Sequence, residues 1–189
     1  MTKVSLDGES IFVIREFMPP AECDAFIARA ESAGFEEATI TTSAGFIMAK
    51  DIRDNARVIS DDPDLAAQLW RRAEPFVPDI INTWRATGLN ERFRYYRYDP
   101  GQKFSPHFDG AFERPNGERS ELTFMVYLND DFAGGATRFF HLDRTLRMSV
   151  QPERGSALVF VHRQLHEGSA VDSGRKYVLR TDVMYAEGP

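Results

Sequence analysis

Cysteine and histidine are scarce in this sequence of 189 residues. Cys23 is its only cysteine, and it has four histidines. A single cysteine excludes an internal disulfide and a cysteine-based zinc site, so a metal would have to be held by histidines and carboxylates. Four histidines leave few ways to build such a site.

Long apolar runs are also missing. No segment approaches the roughly 18 apolar residues of a membrane span, and the apolar stretch 11–14 is shorter than the core of about 7 to 15 residues in a signal peptide. We therefore expect a cytoplasmic protein without a membrane partner. The net charge of −6 argues against a broad binding surface for nucleic acid, and we expect no nucleic-acid partner. At about 100 to 200 residues per domain, the length predicts a single domain over 1–189.

The first 90 residues mix helical and extended patterns. Residues 11–17 read as a strand, and the apolar spacing after Pro20 predicts a helix over Ala21–Ala33 that ends at Gly34. The acidic run 61–64 supplies capping residues for a second helix. A further helical segment is predicted over 78–87.

From Arg92 onward the chain consists of short β-prone runs separated by turn signals. These runs are FRYYRY, LTFMVYL, ATRFF, SALVFV and KYVLRTDVMY. Many short strands at this spacing indicate a sandwich or barrel, of which the double-sheet jelly roll is one form. The sequence thus predicts helices packed against an all-β core, without a linker near residue 90.

Two histidines and one carboxylate could meet at a metal. His107 precedes Asp109 by two residues, so both side chains would project to the same face at a strand end. His166 follows the apolar run Ala157–Val161 near the end of another predicted strand. Two histidines and one carboxylate form the facial triad that binds non-heme Fe(II). However, the His-x-Asp spacing also occurs by chance, and a hydrogen-bonding pair on the surface or in the core is the alternative interpretation.

Lys176 lies ten residues after His166, on a strand where it alternates with apolar neighbours. If that face of the strand looks into a barrel, Lys176 would be a buried cation that needs an anionic partner. A dicarboxylate ligand could supply the anion. A solvated lysine at the start of a strand is the alternative.

The stretch from Arg94 to Tyr185 resembles the Fe(II)- and 2-oxoglutarate-dependent dioxygenases, specifically their prolyl 4-hydroxylase-like branch. The order and spacing of several motifs carry the resemblance: YDPGQKFSPHFD (98–109), YLN (127–129), GGAT (134–137), PERGSA (152–157), HEG (166–168) and GRKY (174–177). The resemblance implies an α+β fold, with a double-stranded β-helix (jelly-roll) core over 91–189 and supporting N-terminal helices within 1–90.

The resemblance also implies roles for individual residues. His107, Asp109 and His166 match the iron ligands, and Lys176 matches the residue that pairs with the distal carboxylate of 2-oxoglutarate. Tyr98 and Tyr127 match tyrosines that line the co-substrate pocket, although each could equally be a core aromatic residue. Where the family often has a tyrosine three residues before the first ligand, this chain has Phe104.

The implied activity is hydroxylation of an unactivated C–H bond by Fe(II), 2-oxoglutarate and dioxygen, with succinate and carbon dioxide as co-products. Ascorbate is a further candidate cofactor. The substrate is expected to be a peptidyl proline or a small molecule. Arg57 and Arg180 are candidates for binding an anionic group of the substrate, whereas for Arg53 we favour an exposed charge or a structural ion pair.

His141 and His162 receive structural interpretations at strand ends. His162 and His166 have the i, i+4 spacing of zinc metalloproteases, but the glutamate of that motif is missing and the segment follows a strand, so this interpretation is rejected. Two alternatives stay open. One is a cupin-like metal enzyme that uses the same ligands without 2-oxoglutarate, and the other is a non-catalytic sensor of 2-oxoglutarate or iron.

Overall fold

The structure is a computed structural model that describes residues 1–38, 40–42, 45–47 and 49–188, with only the backbone of 40–42 and 45–47. The described residues form two helices, α1 (Pro20–Ala33) and α2 (Pro63–Ala73). The strands are β1 (Thr2–Asp7), β2 (Ile11–Arg15), β3 (Glu36–Glu37), β4 (Ile40–Thr42), β5 (Gly45–Ile47), β6 (Arg53–Asp54), β7 (Ala56–Asp61), β8 (Ile80–Ile81), β9 (Trp84–Leu89), β10 (Arg92–Tyr98), β11 (Lys103–His107), β12 (Arg119–Tyr127), β13 (Ala133–Gly134), β14 (Thr137–Phe140), β15 (Leu146–Val150), β16 (Ala157–Val161), β17 (His166–Gly168), β18 (Val171–Ser173) and β19 (Lys176–Glu187).

Two antiparallel sheets dominate this mostly β architecture. The larger has ten strands in the order β1-β2-β16-β12-β19-β10-β7-β3, with β9 paired to β19 and β8 paired to β9. The smaller has the order β15-β14-β17-β11-β6, and two further pairs are β13-β18 and β4-β5. Strands from before and after residue 90 thus share the large sheet. Neither helix in the described part of the chain has the length and apolar character needed to cross a membrane.

The large sheet is buried on both faces. On one face, Phe17, Phe124 and Tyr185 belong to a core that also contains the apolar sides of α1 and α2. On the other face, Tyr96 and Val178 pack with Phe139 of the smaller sheet. Alternation of side chains along each strand produces this division. The polar site described below lies on the face that looks toward the smaller sheet.

The two helices agree with the sequence prediction in position and in their ends. Gly34 follows α1 with φ 84°, a conformation that glycine adopts readily. Asp62 caps α2 by accepting a hydrogen bond from Leu65 N at 3.0 Å.

The helix predicted over 78–87 is wrong. This region instead forms β8 and β9, and β9 pairs with the end of β19 from Val183↔Leu89 to Glu187↔Trp84. Pairing with the longest strand of the sheet satisfies the backbone of β9 over most of its length. The local sequence does not contain that partner, which lies about 100 residues downstream.

Candidate active site

Strand pairing brings the three predicted iron ligands together. In the β11–β17 pair, His107 lies directly opposite His166, and Asp109 follows two residues after the end of β11. The Nε2 atom of His107 lies 3.7 Å from Asp109 Oδ1, and the Nε2 atom of His166 lies 3.6 Å from Asp109 Oδ2. All three offer a ligand atom within 4.8 Å of one another. We call this trio the ligand cluster.

The orientation of both imidazoles suits metal binding. His107 Nδ1 lies 2.8 Å from the carbonyl oxygen of Ser105, and His166 Nδ1 lies 2.9 Å from that of Gln164. A carbonyl oxygen only accepts, so each Nδ1 carries the proton and each Nε2 turns a lone pair toward the cluster. Burial lowers the pKa of His166 to about 4, which keeps its ring neutral at physiological pH. These side chains therefore fit a divalent metal such as Fe(II).

Asp109 is held as a carboxylate by its neighbours. Its side chain is 5% exposed, and Arg180 Nη2 lies 3.1 Å from its Oδ1 atom. Burial alone would raise the pKa of Asp109, but the charge of Arg180 lowers it well below the usual range. Thr123 Oγ1 donates a hydrogen bond of 2.6 Å to Oδ2. The carboxylate is thus both ionised and oriented.

His162 belongs to this network, although sequence analysis assigned it only a position at a strand end. Thr123 Oγ1 uses its one proton on Asp109, so it accepts from His162 Nδ1 at 3.0 Å. His162 Nε2 then accepts from Ser120 Oγ at 2.8 Å. Burial lowers the pKa of His162 and favours this neutral form. A polar residue inside the apolar run LTFMVYL was the available sequence signal for Thr123.

Lys176 is buried without a carboxylate partner. It is 3% exposed, and its Nζ atom donates to Gly135 O at 2.6 Å. Within the described residues, no carboxylate oxygen lies within 4 Å of Nζ. Burial lowers the pKa of Lys176 to about 7. An uncompensated buried ammonium is costly, so this position fits an anionic ligand.

The two predicted pocket tyrosines lie beside Lys176, and Nζ is 5.4 Å from the ring centre of Tyr98 and 5.5 Å from that of Tyr127. Burial raises the pKa of both phenols. Tyr98 lines the cavity, but the Tyr127 hydroxyl is hydrogen-bonded at 2.7 Å to Thr137, which itself lines the cavity. Tyr127 therefore does not line the cavity itself but holds Thr137, which does.

One cavity connects these groups. It extends from Lys176, Tyr98 and Thr137 to the ligand cluster. We call it the inner cavity. A larger outer cleft adjoins it. Five residues line both spaces: Tyr96, Phe104, His107, Asp109 and Arg180. His107 and Asp109 of the ligand cluster consequently lie between the inner cavity and the outer cleft.

The predicted substrate arginines are placed differently from one another. Arg180 contacts Asp109 and also Asp182, at 3.2 Å, so its guanidinium is engaged with protein carboxylates. Arg57 lines the outer cleft. The preferred interpretation of Arg53 as an exposed or ion-paired residue is wrong: it is buried in the wall of the outer cleft and forms no salt bridge with the described residues.

Comparisons with known proteins point to one family. A sequence model described as the 2OG-Fe(II) oxygenase superfamily matches residues 93–181. Prolyl 4-hydroxylase 1 of Arabidopsis thaliana is 25% identical over 189 residues, which cover 88% of this chain and 66% of the plant protein. A putative prolyl 4-hydroxylase of Acanthamoeba polyphaga mimivirus is 25% identical over 88% of this chain and 71% of its own length. The chain spans slightly less than two thirds of the first two curated relatives, at 66% and 64%.

Solved structures share the fold. A Trichoplax adhaerens prolyl hydroxylase in complex with a peptide fragment of the hypoxia inducible factor oxygen degradation domain superposes with a TM-score of 0.71 at 16% identity, covering 94% of this chain and 84% of that one. A viral collagen prolyl hydroxylase from Paramecium Bursaria Chlorella virus-1, in its 2OG complex, gives a TM-score of 0.62 at 19% identity, with 96% and 98% covered.

Proposed function

We propose that this chain is an Fe(II)- and 2-oxoglutarate-dependent dioxygenase, because residues 93–181 match the 2OG-Fe(II) oxygenase superfamily model and the chain is similar to prolyl 4-hydroxylases. In this proposal it hydroxylates an unactivated C–H bond of a peptide, such as a peptidyl proline, or of a small molecule. The two-sheet core is then the double-stranded β-helix, or jelly roll, of that family.

One observation carries the proposal. Lys176 is a buried cation without a carboxylate partner among the described residues, and it lines the inner cavity together with the ligand cluster. A metal site alone does not require such a cation. A dicarboxylate that reaches from the cluster to Lys176 accounts for both, because its far carboxylate would compensate the ammonium. This is the feature that favours the dioxygenase over the cupin-like alternative.

In the proposed mechanism, the chain mainly holds and orients. His107, Asp109 and His166 would hold Fe(II), while Lys176 would bind the distal carboxylate of 2-oxoglutarate. When bound, Fe(II) and 2-oxoglutarate would supply the oxidising chemistry, which consumes dioxygen and releases succinate and carbon dioxide. Arg180 and Thr123 would keep Asp109 in one orientation.

Aromatic rings pack against both histidines of the cluster. Phe104 stacks on His107 at 3.6 Å between ring centres, and Phe160 meets His166 edge-on at 4.6 Å. Phe104 stands where the family often has tyrosine, so at this position the chain offers an apolar surface instead of a hydroxyl. A dry wall of this kind strengthens the electrostatic interactions inside the cavity.

The test is spectroscopic and enzymatic. Anaerobic addition of Fe(II) and 2-oxoglutarate should produce a weak visible metal-to-ligand absorption, and air should then yield succinate. We expect His107→Ala to lose the band, whereas Arg85→Gln, at an exposed ion pair with Asp79, should keep it. Addition of ascorbate tests whether it sustains turnover. Wild-type protein that binds metal but shows neither the band nor succinate would contradict the proposal in favour of the cupin-like alternative.

A further inference from the structure

The outer cleft is rich in arginine. Four guanidinium groups line it, together with only two carboxylates, and all six belong to the described residues: Arg53, Arg57, Arg94, Arg180, Asp109 and Asp182. Residues 39–48, whose side chains lie outside the described part of the structure, contain no Asp or Glu. The cleft therefore carries more positive than negative charge.

The two carboxylates are already used by two of the arginines. Arg180 contacts Asp109 at 3.1 Å and Asp182 at 3.2 Å. Arg94 contacts Asp182 at 3.2 Å from the neighbouring strand β10. These contacts account for all the negative side chains of the cleft.

Arg53 forms no salt bridge with a carboxylate of the described residues. It is 7% exposed, its Nε donates to Asn55 Oδ1 at 2.8 Å, and its Nη2 has no hydrogen-bond partner among the described residues. Its guanidinium lies over the rings of Tyr96, at 4.7 Å, and Phe104, at 4.5 Å. Phe104 in turn stacks on His107. The buried guanidinium of Arg53 is thus separated from His107 of the ligand cluster only by the ring of Phe104.

Two more buried polar atoms nearby lack partners. Within the described part of the chain, the Tyr96 hydroxyl and Arg180 Nε have no partner at hydrogen-bond distance and angle. Burial by itself raises the pKa of Tyr96, but the charges of Arg53, Arg180 and Arg94 outweigh burial and lower it. Three polar groups without a well-aligned protein partner therefore line one positively charged cleft. Buried polar groups in native proteins nearly always have a partner in the protein, in ordered water or in a ligand, and the excess of cations here favours an anionic ligand.

We propose that the outer cleft binds a carboxylate of the substrate, with Arg53 as the residue that recognises it and Arg57 as a second cation. The substrate class is then an amino acid or peptide with a carboxylate near the carbon to be hydroxylated. This inference rests on the proposed oxygenase function and adds specificity to it. A guanidinium edge matches the two oxygens of a carboxylate. The net charge of −6 opposes a polyanion such as nucleic acid at long range.

The occupant of the inner cavity is a different anion. Lys176 lies at the end of that cavity away from the outer cleft and does not line the cleft. Filling the inner cavity with 2-oxoglutarate therefore leaves Arg53 available, and binding at the two ends can be measured separately.

The experiment compares matched carboxylates and amides. Protein loaded with Zn(II) and 2-oxoglutarate is titrated with the twenty N-acetyl amino acids and with their amides, and binding is measured by ligand-observed NMR. We expect some acids to bind about tenfold more tightly than their amides, as for a hydrogen bond to a charged group. In the amide set only the Asp and Glu members keep a carboxylate. Binding confined to those two would assign the anion to an acidic side chain instead of the chain terminus.

Arg53→Gln should lower the affinity for the acids about tenfold and leave the amides unchanged. Arg53→Lys, which keeps the charge but loses the planar edge, should have an intermediate effect. Arg85→Gln serves as the matched arginine control. Because Arg53 is buried, each variant is first checked for its unfolding temperature, and Arg57→Gln provides a second test if Arg53→Gln does not fold.

Equal binding of acids and amides at residues other than Asp and Glu, no binding of either set, or an unchanged affinity for the carboxylate ligands in Arg53→Gln would overturn the inference. None of these outcomes affects the Fe(II) and 2-oxoglutarate absorption band of wild-type protein. Loss of that band would instead reject the proposed oxygenase function, so the two failures can be told apart.

Discussion

Lys176 and Arg180 lie four residues apart on the same face of β19, and both are buried cations, yet their surroundings differ. Lys176 has a carbonyl oxygen and two aromatic rings around it, and burial lowers its pKa to about 7. Arg180 lies between Asp109 and Asp182, whose charges outweigh burial and raise its pKa. One cation lacks an anion, and the other has two.

The difference separates ligand binding from positioning. A buried cation with protein carboxylates on either side has its charge compensated and holds those carboxylates in place. A buried cation without one remains unfavourable until an anion arrives from solution. By this criterion Lys176 binds a ligand, whereas Arg180 orients Asp109, and sequence alone had assigned both to binding.

The largest effect is expected from a substitution at Lys176. Lys176→Met should weaken 2-oxoglutarate binding by more than about a hundredfold, because the distal carboxylate would be buried unpaired. The same variant should unfold at a higher temperature at pH 6, since it removes a buried charge. Isothermal titration and thermal unfolding measure the two effects. Undiminished 2-oxoglutarate affinity in Lys176→Met would show that the lysine is structural.

Arg180→Met should act in the opposite way on stability. It leaves Asp109 and Asp182 buried with their main counter-charge removed, and we expect a loss of about 3 to 5 kcal/mol in unfolding free energy. Urea unfolding at pH 7 measures this loss. The exposed control Arg85→Met should stay within about 1 kcal/mol of wild type. Equal losses in the two variants would mean that Arg180 contributes no more than a surface ion pair.

Thr123→Val tests how far positioning of Asp109 matters. The substitution keeps the shape of the side chain but removes the hydrogen bonds to Asp109 and His162. We expect metal affinity to fall about tenfold, as for other groups that orient a metal ligand. Mn(II) titration provides the measurement. Thr181→Val, a buried threonine on the opposite face of β19 that bonds Asn90 O, is the control and should bind metal like wild type.

The smallest effect is a pH dependence of co-substrate binding. The ligand-free Lys176 has a pKa of about 7, and 2-oxoglutarate binds its protonated form. Above pH 7 the protonated fraction falls, so affinity should decrease with rising pH by up to about tenfold per unit. Binding at pH 8 should take up close to one proton, which titrations in two buffers of different ionisation enthalpy detect. Lys176→Arg should remove the proton uptake; an equal uptake there would assign it to another group.

The lowered pKa of Lys176 also makes the stability of the fold depend on pH. The folded pKa of Lys176 lies below the ordinary value of 10.5, so the unfolded chain binds more protons between about pH 7 and that value. The contribution of this residue to stability therefore rises with pH across that window. Lys176→Met should show a smaller rise over the same range.

Predictions from the sequence were most accurate where the interacting residues are close together in the chain. His107 and Asp109 are two residues apart at a strand end, and alternation on β19 left a buried or a solvated Lys176 open, of which the structure shows the buried one. The caps of α1 and α2 are likewise local, since glycine and aspartate act on the nearest backbone groups. In each case the interacting atoms are close in the chain.

Predictions from the sequence were wrong or incomplete where the interacting residue is distant in the chain. The predicted helix over 78–87 is a strand because β19 lies beside it. Arg53 was expected to be exposed or ion-paired, but packing against Tyr96 and Phe104 buries it without a carboxylate. His162 joined the network of Asp109 through Thr123, which is 39 residues earlier in the chain.

The residue types available to the site are visible in the amino-acid sequence: few histidines, no second cysteine, and a set of motifs typical of 2-oxoglutarate-dependent dioxygenases. How each charge is compensated depends on the folded chain. Folding pairs Arg180 with two carboxylates, whereas Lys176 and Arg53 contact none among the described residues. The energy of a buried charge depends on its nearest neighbours in space, and the pairing of strands that are distant in the chain selects most of those neighbours.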